Sequence, residues 1–157
     1  LVLERNSLTL KRRLHYRGEG WGLTWNGEHL LMSNGSATIS FRKPADFTQH
    51  HSIEVHDRDG NTYKQLNELE WVDGWLLANV WQQQHILLID PATGLVHGRL
   101  DVGHLAPTRT RFGRSGVANG IAYDRDSGNL WLTGKGWPQI HEVKVSLPSL
   151  AKRSGDR

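Results

Sequence analysis

The chain has no cysteine, which excludes a disulfide framework, a thiolate nucleophile and any cysteine metal site. Proline is scarce at 5 and glycine stands at 17 of 157 residues, a balance that fits neither a disordered segment nor a collagen-like repeat. No apolar run approaches the roughly 20 residues of a membrane-spanning helix, and no charged-then-apolar leader opens the chain. Phosphate loops, dinucleotide glycine fingerprints and a Gly-x-Ser-x-Gly elbow are missing too. No segment reads as a helix. Residue 1 is Leu rather than Met, and Leu1-Val2-Leu3 already reads as strand, so the natural start is expected upstream.

What is there is enough for one modest core, with 37% hydrophobic residues and an unusual 7 tryptophans. The net charge of +3 is scattered, apart from Lys11-Arg12-Arg13 and a polar tail around Lys152-Arg153. Both read as solvated surface, because no aromatic-plus-basic stripe accompanies them, and no nucleic-acid partner is expected. Among 9 histidines only His50-His51 is close-set, so no metal site is expected. Asp57-x-Asp59-x-Asn61 with Glu68 has the look of a calcium loop, but Thr62 stands where that loop needs glycine. A hairpin turn at Asp59-Gly60 is the expectation there.

The chain repeats itself. Leu23-Thr24-Trp25, Leu69-Glu70-Trp71 and Ile121-Ala122-Tyr123 open three units, with spacings of 46 and 52 between the aromatics, about the length of a propeller blade. Each opening is followed by a turn (Asn26-Gly27, Asp73-Gly74, Asp124 to Gly128) and an apolar strand (Leu30 to Met32, Leu76 to Ala78, Leu130 to Leu132), which is hairpin patterning. Third strands are expected around Ile39 to Phe41, Ile86 to Ile89 and Ile140 to Val145, and fourth strands at Ser52 to Val55 and Val96 to Val102. The second strands are continuous apolar runs, as expected of sheets covered on both faces. The expected fold is therefore all-β, a partial β-propeller over residues 1–147 with blades near 15–60, 61–112 and 113–147, and a polar tail at 148–157. Propellers close with about four to eight blades, so upstream sequence or chain association is expected to complete the ring. Leu1 to Leu14 is expected to supply outer strands of a preceding blade.

Several segments resemble the glutamine cyclotransferases, whose propeller has five blades. They are Glu19-Gly20-Trp21-Gly22-Leu23-Thr24, Ser33-Asn34-Gly35-Ser36, Leu66 to Gly74 running on to Ala78-Asn79-Val80-Trp81-Gln82, Asn119 to Asp124, and Thr133-Gly134-Lys135-Gly136-Trp137-Pro138. Asn34, Ser36 and His141 depart from that family's usual Asp, Thr and Tyr. The resemblance implies conversion of N-terminal glutamine of peptides or proteins to pyroglutamate, with ammonia released and no cofactor. It implies Lys135 for oxyanion stabilisation and Asn67 for orienting the substrate amide, both as catalytic residues. Trp21 and Trp81 would enclose the glutamine side chain, with Glu19, Glu68 and Asn119 as further substrate-binding positions. The family's catalytic glutamate lies in a part of the propeller preceding this sequence. The bland alternatives are a surface lysine, a turn-forming asparagine and tryptophans that pack between blades, which is how Trp25, Trp71, Trp75 and Trp131 are read; Trp137 is open between the two. The competing functions are a propeller that holds peptides without turnover and a truncated product with neither function. With no membrane-spanning run, no membrane partner is expected; a monomer when full-length is expected, and the resemblance implies export or a periplasmic location.

Overall fold

A computed structural model of the chain describes residues 1–108 and 116–149. After a small hairpin of β1 (Val2–Leu3) and β2 (Leu10–Arg12) come three antiparallel sheets, each a meander in sequence order. The first holds β3 (Gly22–Trp25), β4 (Leu30–Ser33), β5 (Thr38–Arg42) and β6 (Gln49–Glu54). The second holds β7 (Leu66–Val72), β8 (Trp75–Val80), β9 (His85–Ile89) and β10 (Val96–Asp101), and the third β11 (Val117–Asp124), β12 (Asn129–Lys135) and β13 (His141–Lys144). A single 3-10 turn at Gly103–Leu105 is the sole helical element among the described residues. The tail at 150–157 lies outside the described residues.

The opening strands β3, β7 and β11 lie side by side at the centre of the arc. Thr24 Oγ1 on β3 accepts the Trp71 amide of β7 at 3.1 Å, and Ser33 Oγ donates to the Asn67 carbonyl at 2.6 Å. Gly22 has to be glycine here, since a Cβ would stand 2.1 Å from the Asn67 carbonyl oxygen. On the other side of the second sheet, Gln84 pins the entry to β11, donating to the Gly116 carbonyl at 2.5 Å and accepting the Ala118 amide at 3.0 Å.

The middle sheet is covered on both faces, and β8 shows how. Leu76, Ala78 and Val80 pack with Leu31, Ile39 and Phe41 of the first sheet, while Trp75 and Leu77 pack with Ile121, Leu130 and Leu132 of the third. Because the side chains of a strand alternate between faces, two apolar neighbours demand an unbroken apolar run, and all six residues of β8 are buried. Each fully buried leucine contributes about 2 kcal/mol by removing apolar area from water.

At the ends of the arc two strands depart from the burial pattern of the middle sheet. The second strand of the third sheet, β12, is covered on one face only, so its burial alternates around an exposed Trp131. Trp25 is likewise exposed, beside Leu23, on the outer face of the first sheet. Among the described residues both indoles are exposed, each on the face of an end sheet that turns away from the middle sheet. Trp75 does pack between sheets, and Trp71 packs against the first core.

Candidate active site

In an antiparallel meander, the start of the first strand and the end of the second meet at one rim. Gly22 pairs with Ser33, Leu66 with Val80 and Val117 with Lys135, so the entries to β3, β7 and β11 gather at one end of the arc with the exits from β4, β8 and β12. Two of these entries carry a bulge. Between Leu66 and Leu69, and again between Ala118 and Ile121, the opening strand holds one residue more than its partner. An extra residue breaks the alternation and re-aims a side chain, and the residues so placed include Asn67 and Asn119.

A cavity of about 470 Å³ at this rim is lined by Trp21, Asn67, Trp81, Asn119 and Lys135. Each sheet contributes, and Trp21, Asn67 and Asn119 occupy one repeat position, four residues before Trp25, Trp71 and Tyr123 respectively. The indoles of Trp21 and Trp81 meet edge to face, with centroids 6.0 Å apart and an interplanar angle of 80°, a favoured aromatic arrangement. Asn67 is buried, and Asn119 carries a buried Oδ1 without a hydrogen-bond partner. Lys135 has no carboxylate within ion-pair distance among the described residues. The cavity thus joins an apolar corner to two amides and a cation.

Two of the expected site residues stand elsewhere. Glu68 lines a neighbouring groove with Tyr16, Met32 and Phe47, which shares Trp21 with the cavity, and burial followed by the neighbouring Glu70 charge pushes its carboxyl above the usual range. Glu19 accepts the Trp21 Nε1–H at 2.6 Å without lining the cavity. Among the described residues no three His, Asp or Glu side chains stand together as a metal-holding group.

Other residues have roles that motif reading missed. Gly35, at a φ of 80°, lies under the Trp21 ring, where a Cβ would stand 2.7 Å from the indole. Asn79 Oδ1 accepts the Gly120 amide at 3.2 Å and so holds the second bulge. Glu70 accepts the Tyr123 amide of the third sheet at 3.0 Å and faces Thr24 Oγ1 of the first at 3.4 Å. The signal for the bulges was available in the repeat itself, as a polar residue at the same offset before each of the second and third opening aromatics. Trp137 is wedged on Gly116 and Gly134, with its Nε1 buried and unpartnered.

Comparison with known proteins bears on the arrangement as a whole. The family model for glutamine cyclotransferase matches residues 1–145. A glutaminyl-peptide cyclotransferase of Arabidopsis thaliana is 34% identical over 149 residues, covering 92% of this chain and 46% of that protein. The crystal structure of Myxococcus xanthus glutaminyl cyclase superposes with a TM-score of 0.76 at 35% identity, over 85% of this chain and 58% of that one. Kluyveromyces lactis Hsv2 is similar in fold alone, with a TM-score of 0.55 at 7% identity over 84% of this chain and 34% of that one. The chain spans about half the length of the relatives it matches.

Proposed function

This chain belongs to the glutamine cyclotransferase family, and on that premise we propose that its rim cavity binds the N-terminal glutamine of a peptide or protein for cyclisation to pyroglutamate. In that reaction the α-amine attacks the side-chain amide carbon, a five-membered lactam forms, and ammonia leaves. Nucleophile and electrophile belong to one residue, so the protein's task is to hold the folded conformer and stabilise charge.

The roles follow from the lining. The Trp21 and Trp81 rings flank the aliphatic part of the glutamine and exclude water. The Asn67 amide pairs with the substrate's side-chain amide, offering both a donor and an acceptor. Asn119 supplies a second amide at the equivalent position of the next sheet. The Lys135 ammonium faces the oxyanion that develops as the amine adds. The attacking amine must lose a proton and the leaving nitrogen must gain one. None of the five lining residues is a carboxylate, so we assign that transfer to a group outside this cavity wall, and turnover by the chain alone depends on supplying it.

The observation that carries this reading is the convergence of two indoles, two amides and one lysine from three sheets on a single cavity. The test is incubation with glutaminyl peptides, following ammonia release and loss of the free N-terminus. Lys135→Ala is expected to lower kcat by roughly a hundredfold, the scale of losing one oxyanion-stabilising group. No ammonia from any glutaminyl peptide, in the chain alone or in its longer natural context, would sink the proposal. The missing carboxylate favours a second reading, in which the same cavity holds glutaminyl peptides without turnover. Binding with no product in that longer context would select it.

A further inference from the structure

The Glu19 carboxylate stands outside the cavity, yet it touches the residue that forms one wall. Its Oε2 accepts the Trp21 Nε1–H at 2.6 Å. Three other contacts meet the same residue. The Trp21 amide donates to the Ser33 carbonyl at 3.0 Å, fixing the main chain. Gly35 offers the ring a floor without a Cβ, and Trp81 stands against it edge to face. Of these, the hydrogen bond to Glu19 alone is directional at the indole nitrogen. A flat ring against a glycine can still turn or slide in its plane, whereas a hydrogen bond to a carboxylate selects one orientation.

We infer that Glu19 is a positioning residue, which holds the Trp21 indole square to Trp81 and so sets the shape of the apolar corner that receives the ligand. Its role differs from that of a substrate-binding carboxylate, because it acts through the indole. Its consequence for ligand affinity rests on the function proposed above; the positioning itself does not. Glutamine retains an acceptor oxygen at the same place, so Glu19→Gln preserves the contact, while Glu19→Ala leaves the indole N–H to water.

The test reads the ring first and the ligand second. In spectra of the whole chain with 15N-labelled tryptophan, the Trp21 indole N–H is identified by its disappearance in Trp21→Phe. In Glu19→Ala this resonance is expected to move upfield and its nuclear Overhauser contact to Trp81 to weaken; Glu19→Gln is expected to restore both. Titrated with a glutaminyl-alanine amide, Glu19→Ala should bind roughly five- to tenfold more weakly, the scale of one charge-assisted hydrogen bond at an exposed site. In a Trp21→Phe background, which has no N–H to hold, the same substitution should change nothing further. An unmoved Trp21 resonance and contact in Glu19→Ala overturns the inference. So does an equal loss of affinity with and without the Trp21 indole. If the ring responds as expected but no glutaminyl peptide binds even the unsubstituted chain, the positioning role stands and the proposed function fails.

Discussion

A single buried or half-buried charge decides a good deal in this molecule. Glu68 lies in an apolar groove with Tyr16, Met32 and Phe47, and its carboxyl is pushed up by burial first and by Glu70 second. A carboxyl raised in the folded state adds stability while it is protonated, below the unfolded carboxyl range near 4.3, and that contribution is lost as pH rises through the folded value. At neutral pH the charge is therefore a cost. Glu68→Gln is expected to raise the melting temperature at pH 7, with the gain shrinking to nothing below about pH 4, where the native side chain is protonated too. Thermal melts across that range check the point, and a lower melting temperature for the variant at pH 7 would contradict it. The motif had marked Glu68 as a site residue, but a motif places a residue along the chain. The bulge in β7 decides which way its side chain faces.

The outer edge of the first sheet behaves as a unit. The register of β5 against β6 is irregular between Phe41 and Arg42, leaving His50 as an extra residue beside His51. That bulge gathers imidazoles from two elements: His29 stacks on His50 with centroids 4.8 Å apart and meets His51 at 6.0 Å, while His51 stacks on Phe41 at 4.1 Å. Burial first, then His50 and His29, holds the His51 imidazole below its usual value, with Glu28 opposing. A histidine lowered in this way contributes stability above its unfolded value near 6.5, lost as pH falls through that value toward the folded one. The chain is expected to lose stability between about pH 7 and pH 5 more steeply than His51→Phe, which keeps the stack on Phe41 without the proton. Parallel pH dependences in denaturant titrations of the two would sink this. Only His50-His51 adjacency was visible in the sequence, because His29 reaches them across a fold that brings three strands together.

At the scale of the whole molecule, the three sheets are joined by polar ties as well as by apolar packing. Glu70 is the broadest, since its carboxylate reaches Tyr123 of the third sheet and faces Thr24 of the first from the second. Burial raises its carboxyl, while the hydrogen bonds from Tyr123 and Thr24 pull the other way. Removing it in Glu70→Ala strands the Tyr123 amide and is expected to lower unfolding stability by about 1–3 kcal/mol, with a smaller loss in Glu70→Gln, which keeps an acceptor. The midpoint of urea unfolding measures this, and an unchanged midpoint in the alanine variant would show that the tie is dispensable. Trp25 and Trp131, at the two ends of the arc, are exposed among the described residues.

Local chemistry was enough to specify the strands. Asn-Gly and Asp-Gly turns, alternating or continuous apolar runs and the repeat of the opening aromatic are short-range signals, so the three meanders were legible before any coordinate. The family resemblance also named the five residues that line the cavity, because its motifs fall at the rim where the opening strands begin. What tertiary structure alone decided was direction and company: that Glu19 bonds the Trp21 indole, that Glu68 lines the groove across Trp21 from the cavity, that Glu70 touches all three sheets, and that Trp25 and Trp131 are exposed. The reason is physical. A strand's pattern fixes its period, but a bulge shifts the phase of its side chains, and burial depends on whether a neighbouring sheet is there to cover the face.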